Sequence, residues 1–275
     1  MNTTTDILII KNNYKLSFTL YKPEDKLVKN ITVLISPAMA VLQRYYKLFS
    51  EYLCNKGYYA ITFDQIGTGE SKFDPNDKDI NYDDWGRLVI EILINWIKTN
   101  LKTEIYYVAH SAGGQLLGIA PSSKTVSKIF IISSGIGYWK YWPFPRKYYY
   151  FIAWYLFLPI ILKIYGYAPK FVMKEEVPIG IISQWLFWTR KKRFMLDDPT
   201  IKNYFNEINA DVMYLAFSDD TWAPFKSAKA LASFYPPDKV DFKYINPKEY
   251  NLKNIGHFGF FRSKYKDTLW QILEL

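Results

Sequence analysis

The sequence contains a serine, two aspartates and a histidine whose types and order suit nucleophilic catalysis. Ser111 follows an apolar run, Asp219 and Asp220 follow another, and His257 comes later in the chain. A serine hydroxyl becomes an effective nucleophile when a base takes its proton and a carboxylate orients that base. The chain has only two histidines, His110 and His257, so the base has two candidates.

The residues around Ser111 predict a sharp turn between a strand and a helix. An apolar run over 105–109 is typical of a buried strand, and a short helical pattern covers 114–120. Small residues, Ala109 and Gly113, lie two positions either side of Ser111. This is the pattern of a nucleophile elbow with alanine in place of the usual first glycine, and it predicts a strained backbone at the serine. An ordinary strand-to-helix turn is the alternative.

The acid and base candidates also follow predicted strands. Asp219 and Asp220 come directly after the strand predicted over 212–217, and His257 lies in a loop between the last predicted strand and the last predicted helix. Such a loop can bring an imidazole over the sheet to Ser111. The alternatives are a solvated turn and helix N-cap for the aspartates, and a structural role for the histidine.

Strand-like and helix-like segments alternate along most of the chain. This alternation predicts an α/β fold with a mostly parallel central sheet and helices on both faces. Residues 11–13 are expected to form a turn between the first two strands. The predicted strands are 7–10, 16–21, 31–35, 58–63, 105–109, 126–133, 212–217 and 240–244, and the predicted helices are 45–56, 82–99, 114–120, 225–234 and 264–273.

The alternation stops between residues 135 and 198, where tryptophans, other aromatics and prolines are dense. We therefore predict a core formed by 1–134 and 199–275, with a helical cap or lid inserted after the sixth strand over the carboxyl edge of the sheet. Within the insertion, 148–165 is almost entirely apolar but is interrupted by Pro159 and Lys163. We expect a helix pair broken at Pro159, with interfacial membrane contact as the second interpretation.

Composition narrows the class of protein. The formal charge is +9, but the lysines are scattered without a regular aromatic interleave, so no nucleic-acid partner is expected. Cys54 is the single cysteine, which excludes a disulfide framework and favours a reducing compartment. The first residues do not resemble a signal peptide, and a cytoplasmic location is expected. The scarcity of histidine argues against a His-rich metal site, and we expect no metal and no cofactor.

Several motifs together resemble the α/β-hydrolase superfamily, and more narrowly a group of predicted hydrolases with a tryptophan-rich cap. The resemblance extends from about residue 7 to the C-terminus. The order Ser, Asp, His is also the order found in that superfamily. The motifs are Ser36-Pro37-Ala38, Gln43-Arg44-Tyr45-Tyr46, Asp64-x-x-Gly67-x-Gly69-x-Ser71, His110-Ser111-Ala112-Gly113-Gly114-Gln115, Ser218-Asp219-Asp220-x-x-Ala223-Pro224 and Gly256-His257-Phe258-Gly259-Phe260-Phe261.

The resemblance implies a role for individual residues. Ser111 would be the nucleophile and His257 the general base and then acid. Asp220 would orient His257, because it stands four residues before Pro224, and Asp219 is the alternative. The Ala112 N–H would be one oxyanion donor and that of Ala38 or Met39 the other, since Pro37 has no N–H. His110 and Asp64 would be supporting residues.

The resemblance therefore implies a cofactor-free serine hydrolase with a capped active site. We expect a carboxylic-ester hydrolase acting on a small molecule with an apolar acyl group. Hydrolysis of an amide, thioester or lactone, or acyl transfer, would use the same residues. A non-catalytic binding or membrane-associated module on the same scaffold is an alternative of a different class, favoured by the aromatic, basic cap. Peripheral membrane contact through that cap is the remaining expectation about partners.

Overall fold

The computed structural model describes residues 2–10, 14–71, 80–273 and 275. Within these residues the strands are β1 Asn2–Ile9, β2 Lys15–Lys22, β3 Ile31–Ser36, β4 Tyr59–Phe63, β5 Glu104–His110, β6 Lys128–Ile132, β7 Tyr167–Ala168, β8 Val177–Pro178, β9 Asp211–Phe217 and β10 Val240–Ile245. Eight of them form one sheet in the order β1-β2-β4-β3-β5-β6-β9-β10, and β7 pairs with β8. The predicted turn at residues 11–13 lies outside the described residues.

The sheet is mostly parallel, as the alternation of elements predicts. Strands β3 to β6, β9 and β10 run parallel to one another, whereas β2 pairs antiparallel with both β1 and β4. The central strands are continuous apolar runs because both of their faces are covered. The register pairs Ser36 with Ala109 and His110 with Ile132. The strand ends that precede residues 37, 111 and 133 therefore meet at one edge.

Helices cover both faces of the sheet. The α-helices are α1 Lys47–Asn55, α2 Glu91–Trp96, α3 Ala112–Leu116, α4 Arg146–Ile152, α5 Leu158–Tyr165, α6 Lys170–Met173, α7 Ile179–Thr189, α8 Phe225–Ala232 and α9 Gly256–Gly259. Wider π-type turns extend α2 at both ends, over Trp85–Ile90 and Ile97–Leu101, and join α4 to α5 over Ala153–Phe157. Short 3₁₀ turns occur at Asp25–Leu27, Gln43–Tyr46, Leu117–Ile119, Pro121–Thr125, Trp139–Tyr141, Phe194–Asp197, Phe205–Glu207, Pro237–Lys239, Pro247–Tyr250, Ser263–Tyr265 and Leu269–Leu273.

Two apolar layers hold these helices against the sheet. On one face, Trp85, Leu93 and Leu116 pack with the side chains of the central strands. On the other face, Phe49 of α1 and Trp270 pack together with their rings 5.1 Å apart. Burial of both layers holds the helices on the parallel strands. The residues that follow the carboxyl ends of those strands therefore meet at one edge of the sheet.

The prediction of one continuous helix over 264–273 is wrong. The chain instead forms two 3₁₀ turns, Ser263–Tyr265 and Leu269–Leu273. Side chains three residues apart line up in such turns, and Trp270 and Leu273 are both buried on the α1 side of the sheet. The Trp270 indole N–H also donates to the Phe260 carbonyl at 2.6 Å. These tertiary contacts outweigh the helical pattern of the sequence.

The segment between β6 and β9, which we call the inserted segment (residues 135–198), follows the sixth strand as predicted and is mainly helical. The predicted break at Pro159 is wrong, because α4, the π-type turn and α5 form one 20-residue helix, Arg146–Tyr165. The π-type turn ends just before α5, so Pro159 occupies the first turn of α5, where a backbone N–H is not needed. Among the described residues this is the one helix long and apolar enough to cross a membrane, by length and composition alone.

Candidate active site

Ser111 lies on the sharp turn between β5 and α3. Its backbone has φ 51° and ψ −111°, a conformation that costs a non-glycine residue free energy. The turn also needs a residue without a side chain at Gly113, since a Cβ there would lie 2.6 Å from the Ser36 carbonyl oxygen. The Ser134 hydroxyl donates to the Ser111 carbonyl and ties the turn to the end of β6. The local geometry thus projects the Ser111 side chain from the carboxyl edge of the sheet.

His257, in the first turn of α9, brings an imidazole to that hydroxyl. Its Nε2 lies 2.8 Å from the Ser111 Oγ, and its Nδ1 lies 2.9 Å and 3.0 Å from the two carboxylate oxygens of Asp220. With Nδ1–H donating to Asp220, Nε2 is left as the acceptor for the serine proton. The histidine and Asp220 are both buried, so water does not compete for these bonds.

The two adjacent aspartates have different partners. Besides His257, the Asp220 carboxylate accepts the backbone N–H groups of Trp222 and Ala223 at 2.8 Å and 2.9 Å. The Asp219 carboxylate instead accepts those of Ile255 and Gly256 at 2.7 Å and 3.0 Å. Asp220 is therefore the carboxylate that contacts the imidazole, and Asp219 holds the loop that carries it.

The backbone N–H groups of residues that line the cavity around Ser111 are the candidate oxyanion donors. Ala112 begins α3, so its N–H has no partner within that helix. The Ala38 N–H donates to the Tyr46 hydroxyl at 2.9 Å. It is engaged by that bond, which argues against the prediction that Ala38 could serve as a donor. Of the predicted pair, Met39 remains, and it lines the same cavity as Ser111 and Ala112.

His110 directly precedes Ser111 and links two loops of the site. Its Nδ1 is 2.8 Å from the Tyr46 hydroxyl and its Nε2 is 2.9 Å from the His257 carbonyl oxygen. Complete burial lowers the pKa of His110 to about 3, with the neighbouring His257 acting in the same direction. Burial also raises the pKa of Tyr46. A neutral His110 can accept the Tyr46 proton at Nδ1 and donate its Nε2–H to His257.

Asp64 supports the site from the end of β4. Its carboxylate accepts the backbone N–H groups of Gln43 at 2.7 Å and Glu70 at 3.0 Å. Burial raises the pKa of Asp64, although these hydrogen bonds oppose the shift. The Ser71 hydroxyl donates to the Asp64 carbonyl at 2.7 Å. Asp64 thus ties the turn that follows β4 to the segment that contains Gln43 and Tyr46.

A cavity of about 330 Å³ opens above Ser111 between the sheet edge and the inserted segment. Its walls are mostly apolar, and Gln115 and Lys174 are among the few polar side chains. Residues of the inserted segment that line it include Ile136, Trp142, Trp154, Leu158, Val172, Met173 and Trp185. Among the residues that the structure describes, no group of three or more His, Cys, Asp or Glu side chains is arranged to hold a metal ion.

Comparison with solved structures identifies the fold. A soluble variant of monoglyceride lipase from Saccharomyces cerevisiae superposes with a TM-score of 0.69 at 12% identity, covering 100% of this chain and 95% of that one. An esterase from Exiguobacterium antarcticum gives 0.63 at 15% identity, covering 98% of each chain. Mouse alpha/beta hydrolase domain-containing protein 10 gives 0.62 at 15% identity, covering 98% and 97%. The chain has the α/β-hydrolase fold. No family model and no curated protein sequence matches it.

On this α/β-hydrolase fold the structure brings together Ser111, His257 and Asp220, which were predicted from the sequence, and adds residues that were not. Tyr46 belongs to the Gln43-Arg44-Tyr45-Tyr46 motif, but no sequence pattern predicts its hydrogen bonds to Ala38 and His110. The sequence predicts Asp219 as the alternative acid or a helix N-cap, but α8 begins at Phe225 after Pro224 without a side-chain cap, and Asp219 contacts the loop before His257 instead. The roles of Tyr46 and Asp219 depend on contacts with residues distant in sequence, which local patterns do not show.

Proposed function

We propose that the protein is a serine hydrolase in which Ser111 is the nucleophile, His257 the general base and Asp220 the orienting acid. The observation that carries the proposal is the continuous hydrogen-bonded chain from Ser111 Oγ to His257 Nε2 at 2.8 Å and from His257 Nδ1 to Asp220 at 2.9 Å. These are the contacts that serine activation requires. The α/β-hydrolase fold, shared with esterases and a lipase, supports this assignment by analogy.

In the proposed acylation step, the Ser111 Oγ attacks the ester carbonyl carbon while its proton passes to His257 Nε2. Asp220 stabilises the resulting imidazolium, and the N–H groups of Ala112 and Met39 stabilise the oxyanion. The carbon–oxygen bond to the leaving group then breaks, and His257 gives its proton to the departing alcohol. An acyl group remains on Ser111.

Deacylation repeats these transfers with water. His257 takes a proton from the water, whose oxygen attacks the acyl carbon, and the tetrahedral intermediate collapses. The proton returns to Ser111 Oγ as the carboxylic acid leaves. No step needs a metal ion or an organic cofactor.

We propose an ester with an apolar acyl group as the substrate. The tryptophans and aliphatic side chains above Ser111 give that cavity its apolar character, which favours a hydrocarbon chain over a sugar or a charged group. In this proposal residues 135–198 are a cap on a core formed by 1–134 and 199–275. Tyr46 and His110 are positioning residues that hold the Ala38–Met39 loop and the His257 loop in register.

The test is turnover of p-nitrophenyl esters of increasing acyl length by purified wild type and Ser111→Ala. We expect the variant to lose about 10³-fold or more in kcat, and the wild type to prefer an acyl chain over acetate. Ser123→Ala is the matched control, because Ser123 is fully buried but precedes β6 at the opposite edge of the sheet. Equal turnover by Ser111→Ala and wild type would contradict the proposal.

A further inference from the structure

The 20-residue helix of the inserted segment is apolar on two opposite sides. One side, formed by Tyr150, Trp154, Leu158 and Leu162, is buried. These residues follow one another at four-residue intervals and so share a face. Trp154 and Leu158 line the cavity above Ser111. The inner face of this helix is therefore part of the proposed substrate site.

The outer face is also apolar but is exposed to solvent. The exposed fraction is 67% for Tyr149, 53% for Leu156, 48% for Ile160 and 70% for Ile164. Next to the helix, Phe144 and Phe171 extend the same exposed surface. A surface helix of a soluble protein normally has polar residues on its outer face. A group of neighbouring apolar side chains exposed in this way indicates a binding surface.

Basic residues lie on this helix and directly after it, in a segment with a positive net charge. The inserted segment has ten of the chain's 35 lysines and arginines but four of its 26 aspartates and glutamates, so it carries +6 of the net charge of +9. Arg146, Lys147 and Lys163 belong to the helix itself, and Lys170 follows it. Basic residues beside an apolar helix face complement a surface of negatively charged headgroups.

We propose that the outer face of the Arg146–Tyr165 helix docks onto an anionic lipid bilayer. The helix would lie in the plane of the interface and would not cross the membrane, because crossing would remove the buried side chains of Trp154 and Leu158 from the protein interior. Tyrosine side chains such as that of Tyr149 prefer this interfacial depth. A second copy of the chain fits less well, since two faces with the same positive charge repel each other.

Docking would place the cavity of Ser111 next to the lipid from which an acyl substrate could enter. This consequence rests on the proposed function, whereas the docking itself depends only on the outer face. The two can be tested separately, because Ser111→Ala removes the nucleophile and leaves the outer face unchanged.

The experiment is flotation of the full chain with vesicles of phosphatidylcholine alone or mixed in equal parts with phosphatidylserine. We expect binding to the mixed vesicles, weaker binding to phosphatidylcholine alone, and loss of binding as salt rises from about 0.1 M to about 1 M. Ser111→Ala should float like the wild type. Binding of neither protein to mixed vesicles would overturn docking while leaving the proposed hydrolysis untouched.

The variant Leu156→Glu/Ile164→Glu tests the face itself. We expect its partition onto mixed vesicles to fall by about tenfold or more, because each substitution puts a negative charge in place of exposed apolar surface that would enter the bilayer. Leu48→Glu on α1 is the matched control, with an exposed fraction of 51% in the wild type, and thermal melts verify that all variants fold. Equal binding of the double variant and the wild type would overturn the proposal. So would a wild-type dimer, formed without lipid and lost in the double variant, because it would assign the face to a second copy.

Discussion

At the residue scale, the site depends on two neighbouring carboxylates that act on different partners. Asp220 accepts the His257 Nδ1–H, which sets the tautomer and, in the proposed mechanism, compensates the charge that develops on the imidazole. Asp219 accepts two backbone N–H groups of the loop before His257. One carboxylate therefore governs the electronics of the base and the other governs its position.

This division predicts unequal effects of two matched substitutions. Asp220→Asn should lower kcat on an activated ester by about 10⁴-fold, because an amide that donates to Nδ1 imposes the wrong tautomer. Asp219→Asn retains one acceptor oxygen, and it should lower kcat by about tenfold or less and destabilise the fold by about 1 kcal/mol. Steady-state kinetics and urea unfolding of both variants measure these effects. A larger loss of kcat in Asp219→Asn than in Asp220→Asn would contradict the assignment.

His110 predicts a pH dependence of stability. Its pKa is lowered to about 3 by burial in the folded protein, whereas an unfolded histidine has a pKa of about 6.5. Between these values the unfolded chain binds a proton that the folded protein does not, so stability falls as the pH falls below about 6.5. Going from about pH 7 to about pH 5 should cost about 2 kcal/mol from this residue alone.

The measurement is the free energy of unfolding of wild type and His110→Gln at the two pH values. The glutamine variant loses the Tyr46 and His257 contacts, so its stability at neutral pH should be lower. Its loss on acidification should be smaller than that of the wild type by about 2 kcal/mol. Parallel losses in the two proteins would show that His110 does not titrate as its burial requires.

The residues proposed as nucleophile, base and acid could be predicted because each leaves a local pattern in the sequence. Small residues flank Ser111, only two histidines exist, and the aspartates directly follow an apolar strand. The hydrogen bond between Tyr46 and the Ala38 N–H leaves no such pattern, because it depends on how the loop after β3 folds back. That bond is what separates Ala38 from Met39, two residues that the sequence leaves equivalent.

At the scale of elements, alternating strands and helices specify most of the architecture. Buried parallel strands are long apolar runs that are easy to recognise, and the carboxyl ends of β5, β9 and β10 then lead directly to Ser111, Asp220 and the His257 loop. In the sheet β9 and β10 are neighbours and only β6 separates β9 from β5, so those ends lie close together at one edge. The element pattern therefore accounts for the meeting of residues that are 146 positions apart.

Two elements could not be predicted, since tertiary contacts decide their form. The segment over 264–273 has a helical pattern, yet burial of Trp270 and its bond to Phe260 favour tight turns. Pro159 suggests a break in the helix, yet the π-type turn before it places the proline where its missing N–H has no cost. In each case the sequence identifies a helical tendency and the packing determines the hydrogen-bond pattern.

At the scale of the whole molecule, the sheet and the inserted segment share the cavity between them. The backbone N–H of Asp83 donates to the side-chain oxygen of Gln184 in α7 at 2.8 Å. The Trp142 indole N–H donates to the Thr221 carbonyl at 2.9 Å, beside Asp220. The inserted segment is thus anchored to the rest of the chain at two points, and the outer face of its long helix is exposed to solvent.

The central claim is that Ser111 is a nucleophile activated by His257, and intact-mass spectrometry after treatment with a fluorophosphonate tests it most directly. Attack by an activated serine on the phosphorus displaces fluoride and leaves a stable adduct. We predict one adduct on the wild type, located by peptide mapping at Ser111, with none on Ser111→Ala and strongly slowed labelling of His257→Ala. Labelling of Ser111→Ala at the wild-type rate, or no labelling of folded wild type, would contradict the account.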